Sequence, residues 1–496
     1  MPNMKCLLSS SCVSFVVVCI VTIACLFYLG GEKLSVGITP HGDFAADMLV
    51  MDKIGDNGYL LTGHYSRFQF NHPGPFFFYV AYLFDKILVL PVTSPSMGVF
   101  VSILTLNGIF MLLAVVLVMK LFSKRLKFWP MLTSVLIVIG YMQHDLHSAW
   151  MPYRIILPYL AFIVSLVLLA RREFIYFPLA CLLASILVHG YVSMVILALP
   201  LVFVFSYFGY RQQPGALTRR DKIYVMVGLL IGLFFSSPML IDVVISDSPN
   251  LGKIIHQSLT NNFSSPKFVD IIQETNKAAL KGFNLVYFGI ILLGSGILIA
   301  GEKGRVFWQS LMITFSCLTV LFLVYHKNVP GPIYDNMVLF SKTIPMALVM
   351  ICSTAVFCSL ENTESAMGFR SNAYRAIVVL LCIASVLHLR PIKVSRNDHV
   401  YIKTLASEMK TLTTHKEGVR LDYSDHGQWP DVVALLYELK QREYPVCSTW
   451  RNMAFLYTPE MICNDNLIAN IKLVPKSQCN DDCNYMAGNV GIIKLN

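Results

Sequence analysis

A set of ionisable side chains near the N-terminal end has the types and spacing that acid–base and phosphate chemistry require. Two carboxylates, Asp43 and Asp47, are followed by His64, Arg67 and His72. A positioned carboxylate can take the proton of an attacking hydroxyl, which contributes about 10²–10⁴-fold to a rate. Histidine and the guanidinium fork of arginine bind phosphate oxygens. The pattern therefore predicts proton abstraction together with recognition of a phosphate group.

The two carboxylates are not equivalent candidates. We predict Asp43 as the general base. Asp47 would share a face with Asp43 if the segment is helical, and it is either the second choice of base or a structural partner. Gly42 directly before Asp43 also favours a turn, so a structural role for Asp43 is the alternative. The two histidines and the arginine are predicted to bind the phosphate of a lipid-linked substrate.

Two cations farther along the chain extend this set. Arg154 and Lys342 each lie at the predicted outer edge of an apolar segment, where ionisable residues are costly unless they have a function. We predict that both bind a lipid phosphate. The polar stretch before Arg154 contains His144, Asp145 and His147. We expect these three to be solvated at the membrane surface rather than to bind a metal ion.

Composition sets the class of protein. Only 14% of the 496 residues are charged and 55% are hydrophobic, with a mean hydropathy of +0.61. Apolar runs of bilayer-spanning length recur from end to end, and helices satisfy their own backbone hydrogen bonds in lipid. The positive charges behind the net charge of +10 lie in short clusters between these runs, as in cytoplasmic loops. We therefore expect a polytopic α-helical membrane protein and no nucleic-acid partner.

Assigning the basic clusters to the cytoplasm fixes the order of the spans. About eleven transmembrane helices are predicted, at residues 11–30, 97–122, 128–142, 155–170, 174–188, 191–210, 223–245, 283–300, 306–325, 342–360 and 376–389. Because the number is odd, the N-terminus is predicted to be cytoplasmic and the C-terminal part to lie on the opposite side of an inner or plasma membrane. The loops at 246–282 and 326–335 then lie outside the cytoplasm.

One apolar, aromatic segment at 76–92 does not fit as a span, because it is short and contains an Asp-Lys pair. If it crossed the bilayer, the basic cluster at 124–127 would lie outside the cytoplasm. We therefore predict an interfacial helix within a first outer loop at 31–96. With this loop, the predicted transmembrane part comprises residues 1–390.

Residues 391–496 are predicted to form a small α/β extracytoplasmic domain. Strand-like patterns at 419–423 and 444–447 flank a segment with helical spacing at 429–442, which predicts a strand–helix–strand module. The segment has no glycine-rich phosphate loop. We expect a role in contacting substrate or in structure rather than in catalysis.

The cysteines bear on the side of the membrane where this domain lies. Of the thirteen, only Cys447, Cys463, Cys479 and Cys483 are in the C-terminal domain, and the others lie in or beside apolar spans. An even set in an exported domain predicts disulfides, because cytosolic thiols stay reduced. Free thiols and a zinc site are the alternatives, although the spacing is irregular and no histidine is interleaved.

Taken together, these residues indicate glycosyl transfer at the outer surface of a membrane. The acid would deprotonate the acceptor, the cations would neutralise a phosphate leaving group, and the aromatic helix would seat the lipid and stack on the sugar. The expected partners are a polyprenyl-phosphate sugar, a glycan or lipid acceptor and membrane lipids. No nucleotide-sugar site is needed.

The chain resembles the GT-C class of integral-membrane glycosyltransferases, in particular bacterial members that use polyprenyl-phosphate sugars. The matching segments are Gly42-Asp43, Asn71-His72-Pro73-Gly74-Pro75-Phe76, Arg420-Leu421-Asp422, Trp429 and Tyr444-Pro445-Val446-Cys447. The resemblance implies a polyprenyl-phosphate donor, inversion at the anomeric carbon and a first-loop acid as base, at the position of Asp43. No cofactor is predicted. A divalent metal ion is the alternative, but the first loop has no adjacent pair of acids that would form a clear motif for it.

Two other functions use the same class of membrane protein. A polymerase or ligase of surface polysaccharide also takes polyprenyl-linked sugar, but such proteins usually have basic functional loops late in the chain. A transporter or flippase of lipid-linked sugar would more often show internal repeats and ionisable residues at mid-span. The early concentration of ionisable residues favours the glycosyltransferase.

Overall fold

The structure of the chain is a computed structural model. It describes residues 10–87, 95–122, 127–212, 215–260, 266–281, 285–300, 308–313, 316–317, 319–320, 333–334, 337–362, 400–423, 425–464, 468–479 and 483–495. The chain forms two compact units. The helical unit comprises Met1–Gly31, His72–Gly74 and Ile103–Ile392, and the mixed unit comprises Glu32–Asn71, Pro75–Ser102 and Lys393–Asn496. The predicted domain boundary at residue 390 lies outside the described residues.

The described residues before residue 363 are mostly helical. Their α-helices are α1 (Ser10–Val36), α2 (Asp43–Asn57), α3 (Phe76–Ile87), α4 (Pro95–Phe122), α5 (Phe128–Met142), α6 (Met151–Arg154), α7 (Ile156–Ala170), α8 (Phe177–Gly190), α9 (Met194–Leu197), α10 (Leu199–Gln212), α11 (Arg219–Ile245), α12 (Asn250–Thr260), α13 (Phe268–Leu280), α14 (Leu285–Ala300) and α15 (Thr343–Asn362). The expected helical class is therefore confirmed.

Six helical segments among the described residues are long and apolar enough to cross a membrane. They are Cys12–Ser35, Ser96–Phe122, Met151–Ala170, Met194–Gln212, Arg219–Ile245 and Leu339–Cys358. Shorter apolar helices occur at Phe128–Met142, Phe174–Gly190 and Tyr287–Gly296. The count of about eleven spans stays a prediction, because the span at 376–389 and half of that at 306–325 lie outside the described residues.

Helix α7 is at the centre of the helical unit. Every residue from Ile156 to Ala170 is buried, and the helix packs against α8, α10 and α15. A helix that is apolar on all sides must be surrounded by other protein elements or by lipid, and here protein elements cover it. This core holds the short helix α6, which packs against the first residues of α7 and ends at Arg154.

The segment at 246–282, predicted only as a loop, contains two helices. Helices α12 and α13 occupy Asn250–Thr260 and Phe268–Leu280. The apolar side chains of α12 recur at helical spacing, at Leu251, Ile255 and Leu259. A one-sided apolar pattern of this kind is compatible with a surface helix. The expectation of an outer loop at 246–282 did not include these helices.

The mixed unit combines α2, α3 and the start of α4 with the C-terminal part of the chain. The C-terminal elements are α16 (Val400–Leu412), β1 (Val419–Tyr423), α17 (Trp429–Gln441), β2 (Val446–Ser448), β3 (Ile471–Pro475), β4 (Tyr485–Ala487) and β5 (Val490–Lys494). The strand order is β2-β1-β3-β5-β4, with β1 parallel to both of its neighbours and β5 antiparallel to both of its own.

The predicted strand–helix–strand module is present as β1, α17 and β2. The two strands are parallel, with Val419 opposite Val446, and the apolar side of α17 is fully buried. Parallel neighbours need a crossover connection, and α17 supplies it. The predicted pairing of the four C-terminal cysteines is confirmed, as Cys447–Cys463 and Cys479–Cys483.

Helix α3 occupies most of the segment predicted as an interfacial helix. It covers Phe76–Ile87, and the last part of the predicted range, 88–92, lies outside the described residues. Phe77, Phe78 and Ala81 are buried, and α3 packs against α2. Its position at a membrane surface stays a prediction.

Candidate active site

The predicted site residues fall into two groups that belong to different units. Asp43, Asp47, His64 and Arg67 are in the mixed unit, and His72, Arg154 and Lys342 are in the helical unit.

The backbone at Gly42 determines where α2 begins and so places Asp43. Gly42 has φ +56°, a conformation that side chains disfavour, and its N–H donates to the carbonyl of Pro430 at 3.3 Å. Asp43 is therefore the first residue of the helix, where the positive end of the helix dipole favours a carboxylate. At the other end, Gly58 in the left-handed region donates to Ile54 and terminates the helix.

Asp43 has a partner that the sequence analysis did not predict. The Tyr65 hydroxyl donates a hydrogen bond to Asp43 Oδ1, and the Asp43 side chain is half-buried. Burial, reinforced by the Asp43 carboxylate, raises the pKa of Tyr65. The phenol therefore stays protonated and donates its proton to Asp43 across the physiological range. The signal in the sequence was only the position of Tyr65 within the polar stretch that includes His64 and Arg67.

Asp47 lies one helical turn after Asp43 but in a different environment. It is 3% exposed, and the imidazole of His64, itself buried, pairs through Nδ1 with Asp47 Oδ1. Asp47 Oδ2 is buried without a hydrogen-bond partner in the structure. The expected helical spacing of the two acids is confirmed. Their surroundings differ, because Asp43 is a half-buried carboxylate and Asp47 belongs to a buried aspartate–histidine pair.

Arg67 is at the tip of a tight turn that follows this pair. The turn is closed by Ser66 N–H donating to the Phe70 carbonyl at 2.7 Å. Arg67 is exposed, and its guanidinium carbon is 4.8 Å from the centroid of the Phe68 ring. A cation over an aromatic face is attracted by the ring quadrupole, so Phe68 helps to hold the guanidinium.

His72 packs within the helical unit. The N–H of Val192 donates to His72 Nδ1 at 3.3 Å, and the imidazole is 4.8 Å from the ring of Tyr191. Because Nδ1 accepts this hydrogen bond, the proton of the neutral ring is on Nε2. His72 is 5% exposed, so packing against the turn after α8 accounts for its position.

Arg154 and Lys342 are far apart in the sequence but lie on elements that are neighbours in the structure. Helix α6, which ends at Arg154, packs against the short helical turn Leu339–Lys342. Arg154 is 5% and Lys342 2% exposed, and no other lysine or arginine among the described residues is as buried. The structure therefore buries two cations in the interior of the helical unit.

Asp145 is buried beside Lys342, which corrects the expectation of a solvated side chain. The ammonium of Lys342 pairs with Asp145 Oδ2, and His147 is also buried, whereas His144 is exposed. The backbone turns directly after α5, where Asp145 N–H donates to the Met142 carbonyl at 2.8 Å, and this turn directs the carboxylate inward. Within the residues that the structure describes, no three histidine, cysteine or acidic side chains form a metal-binding group.

The Pro73-Gly74 step allows the chain to pass close to His189. A Cβ atom at Gly74 would lie 2.3 Å from the imidazole, which is itself held by a hydrogen bond of 2.7 Å from Nε2 to the Phe235 carbonyl. We expect Gly74→Ala to destabilise the protein by about 1–3 kcal/mol, because the ring cannot move without losing that bond.

Thermal unfolding of the purified protein tests this prediction. Gly232→Ala is the matched control, because a Cβ there meets nothing within 4 Å. The control should leave stability unchanged or raise it by up to about 1 kcal/mol. Equal melting temperatures for the wild type and Gly74→Ala would show that the close approach has no cost.

Comparison with known proteins finds similar folds among solved structures. No protein-family model matches the chain, and no curated protein matches it either. Among solved structures, ArnT from Cupriavidus metallidurans bound to undecaprenyl phosphate has 12% identity and a TM-score of 0.57, over 97% of each chain. The same protein in its apo state gives 11% identity, a TM-score of 0.57 and the same coverage.

A third structure is less similar. The archaeal oligosaccharyltransferase AglB from Archaeoglobus fulgidus, in complex with an inhibitory peptide and a dolichol-phosphate, has 11% identity and a TM-score of 0.39. The match covers 93% of this chain and 69% of that one, and a score this low is not an argument for a shared fold. The ArnT matches show that the chain shares the fold of ArnT, which agrees with the predicted resemblance to the GT-C class.

Proposed function

We propose that the chain is an inverting membrane glycosyltransferase that moves a sugar from a polyprenyl-phosphate donor to an acceptor outside the cytoplasm. The acceptor is a glycan or a lipid of the cell surface. The proposal rests mainly on one observation, the burial of Arg154 and Lys342 on neighbouring elements of an apolar helical unit.

Burial of these two cations is compatible with a site for a phosphate group. Moving a charge out of water costs several kcal/mol, so a buried cation needs a compensating charge or a function. The Asp145 carboxylate compensates Lys342 and fixes its ammonium in place. We assign Arg154 to the donor phosphate, since a guanidinium fork suits two phosphate oxygens, and Lys342 to the same phosphate through its remaining N–H groups.

The fold supports this choice of donor. ArnT, which the chain matches over 97% of both lengths, has been crystallised with undecaprenyl phosphate. A polyprenyl phosphate is also what remains of the proposed donor after the sugar leaves. Among the other predicted ligands, the exposed Arg67 is a second contact for phosphate, and we assign His64 and His72 to holding their segments in place.

We assign the general base to Asp43 rather than Asp47. A base must reach the proton of its substrate, and Asp43 is half-buried at a helix start, whereas Asp47 is 3% exposed and paired with His64. The Tyr65 hydroxyl occupies Asp43 Oδ1 and leaves Oδ2 to accept a proton. Asp47 and His64 then support the helix that presents the base.

The proposed reaction is a single displacement. Asp43 takes the proton of the acceptor hydroxyl while the hydroxyl oxygen forms a bond to the anomeric carbon. The bond between that carbon and the phosphate oxygen breaks, and the electron pair leaves on the polyprenyl phosphate. Attack opposite to the leaving group inverts the anomeric configuration, and the developing phosphate charge is what the cations stabilise.

We further propose about eleven spans, a cytoplasmic N-terminus and an extracytoplasmic C-terminal domain. The pairing of Cys447 with Cys463 and of Cys479 with Cys483 supports this orientation, because such bonds persist in oxidising compartments. Protein extracted from cells under denaturing conditions should gain four reactive thiols on reduction. Unchanged labelling would place this domain in the cytoplasm.

Deleting the protein from its cells tests the function. If it transfers single sugars, one surface glycan or lipid should lose one sugar in mass spectra, and the wild-type protein should restore it. A shortened or missing polymer would instead indicate a polymerase or ligase. Accumulation of the donor on the cytoplasmic side would indicate a transporter, and either result would overturn the proposal.

A further inference from the structure

The turn that presents Asp43 is held by the C-terminal part of the chain. The imidazole Nε2 of His41 lies 3.0 Å from Asp431 Oδ1, and the Gly42 N–H donates to the carbonyl of the adjacent Pro430 at 3.3 Å. Both acceptors belong to the first turn of α17, and all of these residues lie in the mixed unit. Two consecutive residues before the proposed base are thus attached to one helix start.

Asp431 is itself fixed by a second donor. The hydroxyl of Tyr401, on α16, donates to the same Oδ1. Burial, together with the Asp431 carboxylate, raises the pKa of Tyr401, so that the phenol remains a donor. The side chains of Asp431 and His41 are 15% and 21% exposed, so the contact is mostly screened from water.

The far end of α2 is attached to the same helix by different residues. Lys440 pairs with Asp52 at 3.5 Å and with Asp56 at 3.4 Å, and Gln441 donates to Asp52 at 3.1 Å. Helix α17 therefore contacts α2 at both ends. Only the contact at the N-terminal end of α17 lies next to Asp43. The contact at its C-terminal end therefore serves as a control for variants at the N-terminal end.

We propose that Asp431 is a positioning residue for the base, acting on Asp43 through His41. This inference rests on the proposed function, because it assumes that Asp43 takes the acceptor proton. Gly42 has φ +56°, a backbone conformation in which the chain bends sharply between His41 and Asp43. The orientation of the Asp43 side chain therefore depends on how His41 and Gly42 are held. Asp431 fixes His41 through their hydrogen bond. The C-terminal domain thereby contributes to catalysis without touching the substrate.

Asp431→Ala removes the acceptor for His41 and should lower kcat by up to about 10²-fold, the cost of a small misplacement of a reacting group. The KM for the donor should not change, since the donor phosphate is held by other residues. Asp431→Asn keeps an oxygen in the same place and should recover most of the lost turnover. Lys440→Ala, the control at the far end of α2, should leave kcat unchanged.

A double-variant cycle separates positioning from simple loss of stability. If Asp431 acts through His41, the turnover of His41→Ala combined with Asp431→Ala should equal that of either single variant. Additive losses, a change in KM alone, or equal losses in Asp431→Ala and Lys440→Ala at equal melting temperature would overturn the inference. Absence of sugar transfer by the wild type would instead overturn the proposed function, and the inference with it.

Discussion

Asp43→Asn should lower the turnover of sugar transfer about 10²–10⁴-fold. The amide keeps the size of the side chain and can still accept the hydrogen bond from Tyr65, but it cannot take a proton. Donor binding should survive, because we assign the phosphate to cations of other segments. Steady-state kinetics with a labelled donor and a direct binding measurement together separate these two effects.

Asp47→Asn is the control that distinguishes the two acids. It changes a buried partner of His64, so we expect lower thermal stability and little loss of turnover in the molecules that remain folded. Near-normal turnover in a folded Asp43→Asn protein would rule out Asp43 as the base. Collapse of turnover in Asp47→Asn alone, at normal stability, would move the role one helical turn along α2.

Lys342→Met should reduce the free energy of unfolding by about 3–5 kcal/mol, because it leaves the buried Asp145 carboxylate without its cation. The methionine fills most of the same volume, so little of the loss would come from packing. The double variant Asp145→Leu with Lys342→Met removes both charges and should recover most of the stability. Chemical unfolding of the purified protein in detergent measures all three variants.

An exposed ion pair of the same unit provides the comparison. Lys277 pairs with Glu274 at 3.3 Å, and the lysine side chain is 65% exposed. Lys277→Met should change the free energy of unfolding by less than about 1 kcal/mol, since solvent screens such pairs. Similar losses for Lys277→Met and Lys342→Met would show that burial of the Asp145–Lys342 pair has no special energetic weight.

Patterns of short range were readable from the sequence. The helical spacing of Val432, Leu435, Leu436 and Leu439 predicted the buried face of α17, and each of them is fully buried. The flanking strands and the cysteine pairing followed from local alternation and from residue type. Periodicity within one element depends only on neighbouring residues, and for that reason it can be recognised without the fold.

Contacts between residues that are distant in the sequence could not be predicted in this way. Asp145 and Lys342 are separated by 197 positions, and His41 and Asp431 by 390. Nothing local in either sequence segment specifies the partner, because each pair depends on how whole helices pack. The expectation that Asp145 is solvated failed for this reason.

The candidate site was predicted as a set of residue types rather than as a geometry. The sequence indicated two acids at helical spacing, and the structure confirms the helix that carries them. It did not indicate that Tyr65 binds one acid and His64 the other, which is what distinguishes a half-buried carboxylate from a buried pair. The chemical roles of these residues remain predictions.

Transfer of label from a donor tests the central claim most directly. Purified wild-type protein is mixed with a radiolabelled polyprenyl-phosphate monosaccharide and with membranes from cells that lack the protein, which retain the unmodified acceptor. We predict that single labelled sugars move to an acceptor with inverted anomeric configuration, and that Asp43→Asn protein does not support this within the same time. A donor that stays intact with the wild type, or label that enters only a growing diphosphate-linked oligomer, would contradict the account.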